Sequence, residues 1–182
     1  MTIKETILEG CVIIEPRVFE DKRGYFFESF NQEKFTSAVG TSVNFVQDNE
    51  SFSTKGVLRG LHFQKGDHAQ AKLVRVIKGK VLDVAVDLRK DSKTFGKHVS
   101  VELTEENKKQ LFIPRGFAHG FVVLSDTALF SYKCDNFYNK ESEDGILYND
   151  TDLNIDWKLP EEELIISEKD AVLPSFKNIE LW

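Results

Sequence analysis

An all-β domain with a few short helical additions is what this sequence predicts, and three observations carry the prediction. Phe occurs 15 times, alongside many Val and Ile and only four Pro, which tilts the chain toward strand-forming residues. Over residues 82–88, Leu82, Val84, Val86 and Leu88 alternate with Asp83, Ala85 and Asp87, the period of two that a half-buried strand requires. Turn signals near 91 (Asp-Ser), near 106 (Glu-Asn) and at 125 (Ser-Asp) punctuate further apolar runs at the spacing of a sandwich or barrel.

Taken in order, the elements follow from local pattern. The run LVRVI precedes Lys78-Gly79, where a hairpin turn is expected to join it to the alternating strand. Further strands are expected in HVSVEL at 98–103, QLFIP at 110–114, HGFVVLS at 119–125 and ALFSYKC at 128–134. Helical pattern is confined to a short helix ending at Val39, with Asn31 as its N-cap, and a turn at Pro160-Glu-Glu-Glu-Leu with Pro at a tolerated first position. No repeat, low-complexity tract or flexible linker interrupts the chain, so one domain is expected over residues 1–182. A chain of that length buries about 70% of its unfolded surface and needs no disulfide or metal staple.

Composition excludes several classes of function. With 41% hydrophobic and 30% charged residues, the chain is not a disordered one. Its net charge of −6 offers no basic excess for a phosphate backbone, which argues against nucleic acid as a partner. No apolar window approaches the length of a membrane span, and the N-terminus lacks the basic start and long apolar stretch of a secretion signal. Cys11 and Cys134 are too few for a disulfide framework or a zinc site and read as reduced core thiols. The expected compartment is the cytoplasm.

Two of the four histidines stand in glycine-bearing segments that let backbone approach a ligand closely: His62 in GVLRGLHFQ and His119 in PRGFAHGF. Gly56 with His62 six places on resembles the first cupin motif, and Pro114-x-Gly116-x-x-His119 the second. The resemblance implies a cupin-type jelly roll (a double-stranded β-helix) with a few short helices. Metal-binding cupins carry a second histidine where this chain has Gln64, and a glutamate that it lacks between Ala69 and Leu73. Two firm ligands fall short of a metal site, so no metal and no other cofactor is expected.

Longer segments sharpen the resemblance: FEDKRGYFFESFNQEKF, FVQDNESFSTKGVLRGLHFQ, AKLVRVIKGKVLDVAVDLRKDSKTFGK, ENKKQLFIPRGFAHGFVVLSDTALFSYKC and the late ISEKD. In this order they resemble the dTDP-4-dehydrorhamnose 3,5-epimerase family along nearly the whole chain. That resemblance implies epimerisation at C3 and C5 of a dTDP-linked 4-keto-6-deoxyhexose, in a homodimer. Because both carbons flank a ketone, such a reaction needs a base, an acid on the opposite face, and positive charge at the enolate oxygen. The resemblance assigns His62 as base, Asp170 as the carboxylate orienting it, Tyr132 as acid and Lys72 as the cation at the ketone. It further implies substrate contacts by Arg23, Glu28, Gln47, Asp48, Asn49, Arg59, His119, Glu143 and Lys169, with Tyr138 stacking on the base. Three other readings stay open: a relative that inverts one carbon or takes another nucleotide-linked 4-keto sugar, a metal-dependent cupin enzyme, and a non-catalytic nucleotide-sugar-binding cupin.

Overall fold

A computed structural model describes residues 1–180, so the last two residues of the expected domain lie outside the described residues. In chain order the strands are β1 (Thr2–Glu5), β2 (Val12–Glu15), β3 (Val18–Asp21), β4 (Gly24–Phe27), β5 (Gln47–Thr54), β6 (Val57–Gln64), β7 (Lys72–Lys78), β8 (Lys80–Asp87), β9 (His98–Thr104), β10 (Gln110–Ile113), β11 (Phe117–Val123), β12 (Thr127–Cys134), β13 (Glu143–Gly145) and β14 (Ile165–Ile166). Helix α1 (Gln32–Val39) lies between β4 and β5. One sheet has the order β1-β2-β10-β7-β12-β5 and the facing sheet β13-β6-β11-β8-β9, with β14 added to β6. Strands β3 and β4 form a separate hairpin. The two facing sheets make the cupin-type jelly roll.

The sandwich interior is apolar. Val74, Val76, Leu111, Ile113 and Phe130 of the first sheet meet Val81, Ala85, Leu103, Phe121 and Val123 of the second. Phe121 and Phe130 stack across the gap with ring centroids 4.2 Å apart. Each outer face has its own cover. On the first sheet, Phe35 of α1 packs edge-on against Phe112 at 5.2 Å, with Phe30 and Phe45 beside it. The helix starts as expected, because the Asn31 side chain accepts a hydrogen bond from the Lys34 amide at 3.0 Å. Gly40, in the left-handed conformation at φ 74°, ends it. On the second sheet, Ile146, Leu153 and Trp157 from the C-terminal segment cover Leu58, Leu82, Val84 and Val86.

Two expectations are corrected here. The strand at 82–88 is buried on both faces, not one: the C-terminal segment covers the Leu82, Val84 and Val86 side, and the side that alternation assigns to water, with Asp83, Ala85 and Asp87, turns toward the first sheet inside the sandwich. Asp83 and Asp87 are consequently fully buried, and each has acquired hydrogen-bonding partners. Lys78-Gly79 is a turn, but β7 and β8 do not pair as a hairpin. β7 is flanked by β10 and β12, and β8 by β11 and β9, so the turn carries the chain from one sheet to the other. Gly79 makes the passage at φ 81°, where a Cβ would fall 2.0 Å from the Thr127 carbonyl oxygen. The expected strands at 98, 110 and 128 form within a residue or two, and 119–125 starts earlier, at Phe117. The turn after Pro160 is 3₁₀, spanning Glu161–Glu163. Among the described residues, no helix is long and apolar enough to cross a membrane.

Candidate active site

A bulge in β6 creates the site. β11 pairs His119 with His62 but Phe121 with Arg59, so Gly60 and Leu61 together oppose Gly120. Arg59 and His62 are three residues apart, and strict alternation would send them to opposite faces. The extra residue turns both into one cavity. Gly60 sits at φ 114°, and a Cβ there would meet the His119 carbonyl oxygen at 2.6 Å and Gly120 Cα at 2.7 Å. Only glycine lets the two strands approach this closely.

His62 has a carboxylate behind it. β14 runs parallel to the start of β6, pairing Ile165 with Val57 and Ile166 with Leu58, and the turn that follows delivers Asp170 beneath the bulge. His62 Nε2 lies 2.8 Å from Asp170 Oδ1, while Asp170 Oδ2 accepts the Gly60 N–H at 3.2 Å. Burial works to raise the Asp170 pKa, but the hydrogen bond and charge of His62, with the Gly60 amide and Ser167, outweigh it and hold the carboxyl below its usual value. An ionised carboxylate only accepts hydrogen bonds, so Nε2 of His62 carries the proton and Nδ1 is left as the basic atom.

The facing sheet supplies the other two expected catalytic groups. Tyr132, on β12, is opposite Asn49 of β5, and Lys72 opens β7 opposite Cys134. The Lys72 ammonium lies 5.9 Å from the centroid of the Tyr132 ring. Burial pushes the Lys72 pKa down, opposed by nearby groups that include Asp83 and Glu143. Burial also pushes the Tyr132 phenol up, against a lowering contribution from Arg59 and a hydrogen bond with Asn49. Tyr132 therefore keeps its proton at neutral pH.

Two cavities meet at these side chains. The larger, about 500 Å³, is lined by Arg59, His119, Ser51, Lys169 and Asp170 together with His62, Lys72 and Tyr132. A second, about 300 Å³, is lined by Gln47, Asn49, Gln64, Tyr138 and Glu143 and by the same three residues. His62 on one sheet and Tyr132 on the other thus approach a shared space from opposite walls. At the mouth, Lys169 bonds Glu143 at 2.6 Å and the Tyr138 hydroxyl donates to the same oxygen at 2.9 Å. Burial raises the Glu143 pKa, but Lys169, Tyr138 and the His62 charge outweigh it and hold the carboxyl low.

Asp83 was missed by sequence reasoning. Its carboxylate, with no exposure, takes the Nε2–H of His119 at 2.9 and 3.1 Å from its two oxygens. His119 therefore lines the larger cavity with a buried carboxylate behind it, as His62 does. Alternation had placed Asp83 in water, and the only available signal was an acidic residue inside an otherwise apolar strand. Gln64, where other cupins carry a metal ligand, is committed to backbone: it donates to the carbonyls of His68 at 2.7 Å and Phe137 at 3.2 Å and accepts the Asn139 amide at 2.7 Å. Among the described residues, no cluster of three or more His, Cys, Asp or Glu side chains is placed to hold a metal ion.

Three expected contact residues lie outside both cavities. Asp48 faces the opposite side of β5 from Gln47 and Asn49, bonded to Lys133 at 2.9 Å. Arg23 sits at the tip of the β3–β4 hairpin, paired with Asp21 at 2.6 Å. Glu28, just beyond that hairpin, is held by Lys34 at 2.8 Å.

Comparison with known proteins bears on this geometry. Residues 5–178 match the family model described as dTDP-4-dehydrorhamnose 3,5-epimerase. A protein of that name from Shigella flexneri is 58% identical over 170 residues, covering 93% of each chain. The crystal structure of the epimerase from Elizabethkingia anophelis superposes with a TM-score of 0.95 at 62% identity, covering 98% of this chain and 97% of that one. A dTDP-6-deoxy-D-glucose-3,5-epimerase from Legionella pneumophila, in complex with dTDP-4-keto-L-rhamnose, does so at 0.95 and 49% identity, covering 98% and 94%.

Proposed function

The chain belongs to the dTDP-4-dehydrorhamnose 3,5-epimerase family, and from that premise we propose that it converts dTDP-4-dehydro-6-deoxy-D-glucose to dTDP-4-dehydro-L-rhamnose by proton transfer between His62 and Tyr132. The observation that carries the reading is the His62–Asp170 pair at 2.8 Å in a space it shares with Lys72 and Tyr132. His62 removes the proton on the carbon beside the ketone, and the electron pair of that C–H bond moves onto the C4 oxygen as an enolate. Asp170, ionised, stabilises the imidazolium that forms.

Lys72 meets the developing oxyanion. Its ammonium is costly to hold in a desolvated site, so the attraction gained as negative charge appears is larger in the transition state than before it. Tyr132, kept protonated by burial, gives its proton to the opposite face of the same carbon, and the enolate electrons return to form the new C–H bond. Solvent resets both groups, and the cycle repeats at the second carbon. The residues need no metal or organic cofactor for this chemistry.

Arg59, His119 and Lys169 hold the diphosphate and sugar, while Gln47, Asn49, Glu143 and the Tyr138 ring hold the nucleoside. Arg23, Glu28 and Asp48 do not reach the two cavities at His62 in their own chain, and the hairpin bearing Arg23 also exposes Phe19, Tyr25 and Phe26. That placement supports a homodimer in which the hairpin lends Arg23 and Glu28 to the partner's site. The enzyme is a single cupin-like domain working in the cytoplasm with its two buried thiols reduced.

Turnover in deuterated water tests the reaction. Deuterium at both C3 and C5 of the sugar, with a product that a reductase converts onward, is the expected result. Label at one carbon alone makes the chain a single-site epimerase, and no label with intact nucleotide binding makes it a binding protein.

A further inference from the structure

β5 lines the edge of the site with a ladder of polar side chains, Gln47, Asn49, Ser51 and Ser53, at every second position. Three of the four are occupied within the protein. Gln47 donates to Asn49 at 3.1 Å, Asn49 donates to Cys134 Sγ at 3.7 Å, and Ser53 accepts from Arg59 Nε at 3.2 Å. Ser51 is the exception. Its hydroxyl oxygen is buried and has no hydrogen-bond partner among the described residues, although it lines the larger cavity with His62, Lys72 and Tyr132. A buried hydroxyl left unpaired lowers stability, so its place in the wall of a reaction cavity points to a ligand atom that completes it.

Its depth in the cavity indicates which atom. The cations Arg59 and Lys169 are exposed at the rim, where a diphosphate would find them, whereas Ser51 stands opposite Phe130 in the β5–β12 ladder, farther in. A neutral hydroxyl beside aromatic carbon suits a neutral partner better than a dianion. Resting on the substrate class proposed above, we infer that the Ser51 hydroxyl hydrogen-bonds a ring hydroxyl of the hexose and fixes the ring between His62 and Tyr132. Nucleotide contacts hold only one end of a long flexible ligand, and a second anchor on the sugar sets which face each group meets.

The Ser51→Ala variant tests this in three readouts. Calorimetric affinity for dTDP-glucose should fall roughly three- to tenfold against the wild type while affinity for dTDP is unchanged, the loss of one neutral hydrogen bond to the sugar. In turnover, KM for dTDP-4-keto-6-deoxyglucose should rise by a similar factor with kcat less affected. The thermal midpoint of the free protein should hold or rise, because a methyl group replaces an uncompensated hydroxyl. Equal losses for dTDP and dTDP-glucose would place the hydroxyl on the phosphates and overturn the inference, as would no loss for either. A thermal midpoint several degrees lower would mean that Ser51 is satisfied within the fold, with the same consequence. A wild type that binds dTDP-glucose but turns nothing over would defeat the epimerase reading, while the affinity comparison would still decide the role of Ser51.

Discussion

Asp170 and Asp87 are both almost fully buried carboxylates whose pKa lies below its ordinary value despite burial, yet they serve different ends. Asp87 has five donors: the Arg89 amide at 3.0 Å, Arg89 Nε at 2.9 Å and Nη2 at 2.8 Å, Ser92 at 2.6 Å and Thr94 at 2.7 Å. A guanidinium never gives up its charge, so that network is static. Asp170 has as its main partner the His62 imidazole, which unlike a guanidinium can bind and release a proton, and the ring's other nitrogen is left free of that bond. Burial depth is similar; what separates the two carboxylates is whether the partner can gain and lose a proton. Asp83, like Asp170, has a histidine as its partner.

The largest effect is expected at the imidazole. His62→Ala should lower turnover by roughly 10³- to 10⁴-fold while dTDP affinity and thermal midpoint stay near wild type. A variant that fails to fold would instead put His62 in the same class as Asp87. Tyr132→Phe comes next, with inversion reduced by about 10²-fold. Exchange of the abstracted proton with solvent should outlast inversion, since His62 acts from the opposite wall, and NMR in deuterated water separates the two. Undiminished inversion would remove Tyr132 from the reaction.

How far the sequence discloses these differences depends on what each residue's neighbours in the chain can report. Asn31 capping α1, and the strands at 98–103 and 128–134, are set by local pattern and form as expected. Gly79 announces a turn, but nothing within a few residues reveals that β7 and β8 join different sheets. Asp83 and Asp87 are misplaced for a similar reason: their side of the strand faces the first sheet inside the sandwich, while Leu153 and Trp157, some 70 residues on, cover its apolar side, and alternation sees only the strand itself. The site follows the same rule. His62, Tyr132 and Asp170 are recognisable because whole motifs surround them, whereas the bulge that turns Arg59 and His62 into one cavity leaves no signal beyond Gly60. Arg23 and Glu28 match a binding pattern, yet their own chain does not bring them to the cavities at His62.

Asp87→Asn tests the static half of the comparison. The wild-type carboxyl is pushed to about 2, below the value near 3.9 expected of an unfolded chain. Its contribution is therefore complete above about pH 4 and is lost as pH falls toward 2, worth roughly 2–3 kcal/mol at neutrality. The variant should be less stable by that amount in urea at pH 7, with the gap from wild type narrowing through the same pH window. Turnover per folded molecule should be unchanged. A variant with normal stability but reduced turnover would erase the distinction between the two carboxylates.

The smallest effect sharpens the comparison at the cavity mouth, where Tyr138 combines a static bond with an open face. Its hydroxyl donates to Glu143 and its amide to Gln47 at 3.1 Å, while the residue as a whole is 54% exposed. A ring held at its edges and open on its face is suited to stacking on a base. Tyr138→Ala should weaken dTDP binding by about 1–2 kcal/mol, the lower part of the range for aromatic–base stacking, because the site is only partly shielded from water. Tyr138→Phe keeps the face and loses the Glu143 bond, so its dTDP affinity should stay within about twofold of wild type if stacking dominates. Were the two variants equally impaired, the hydroxyl bond to Glu143 would be the operative contact, and Tyr138 would act on the nucleotide through the Glu143–Lys169 pair.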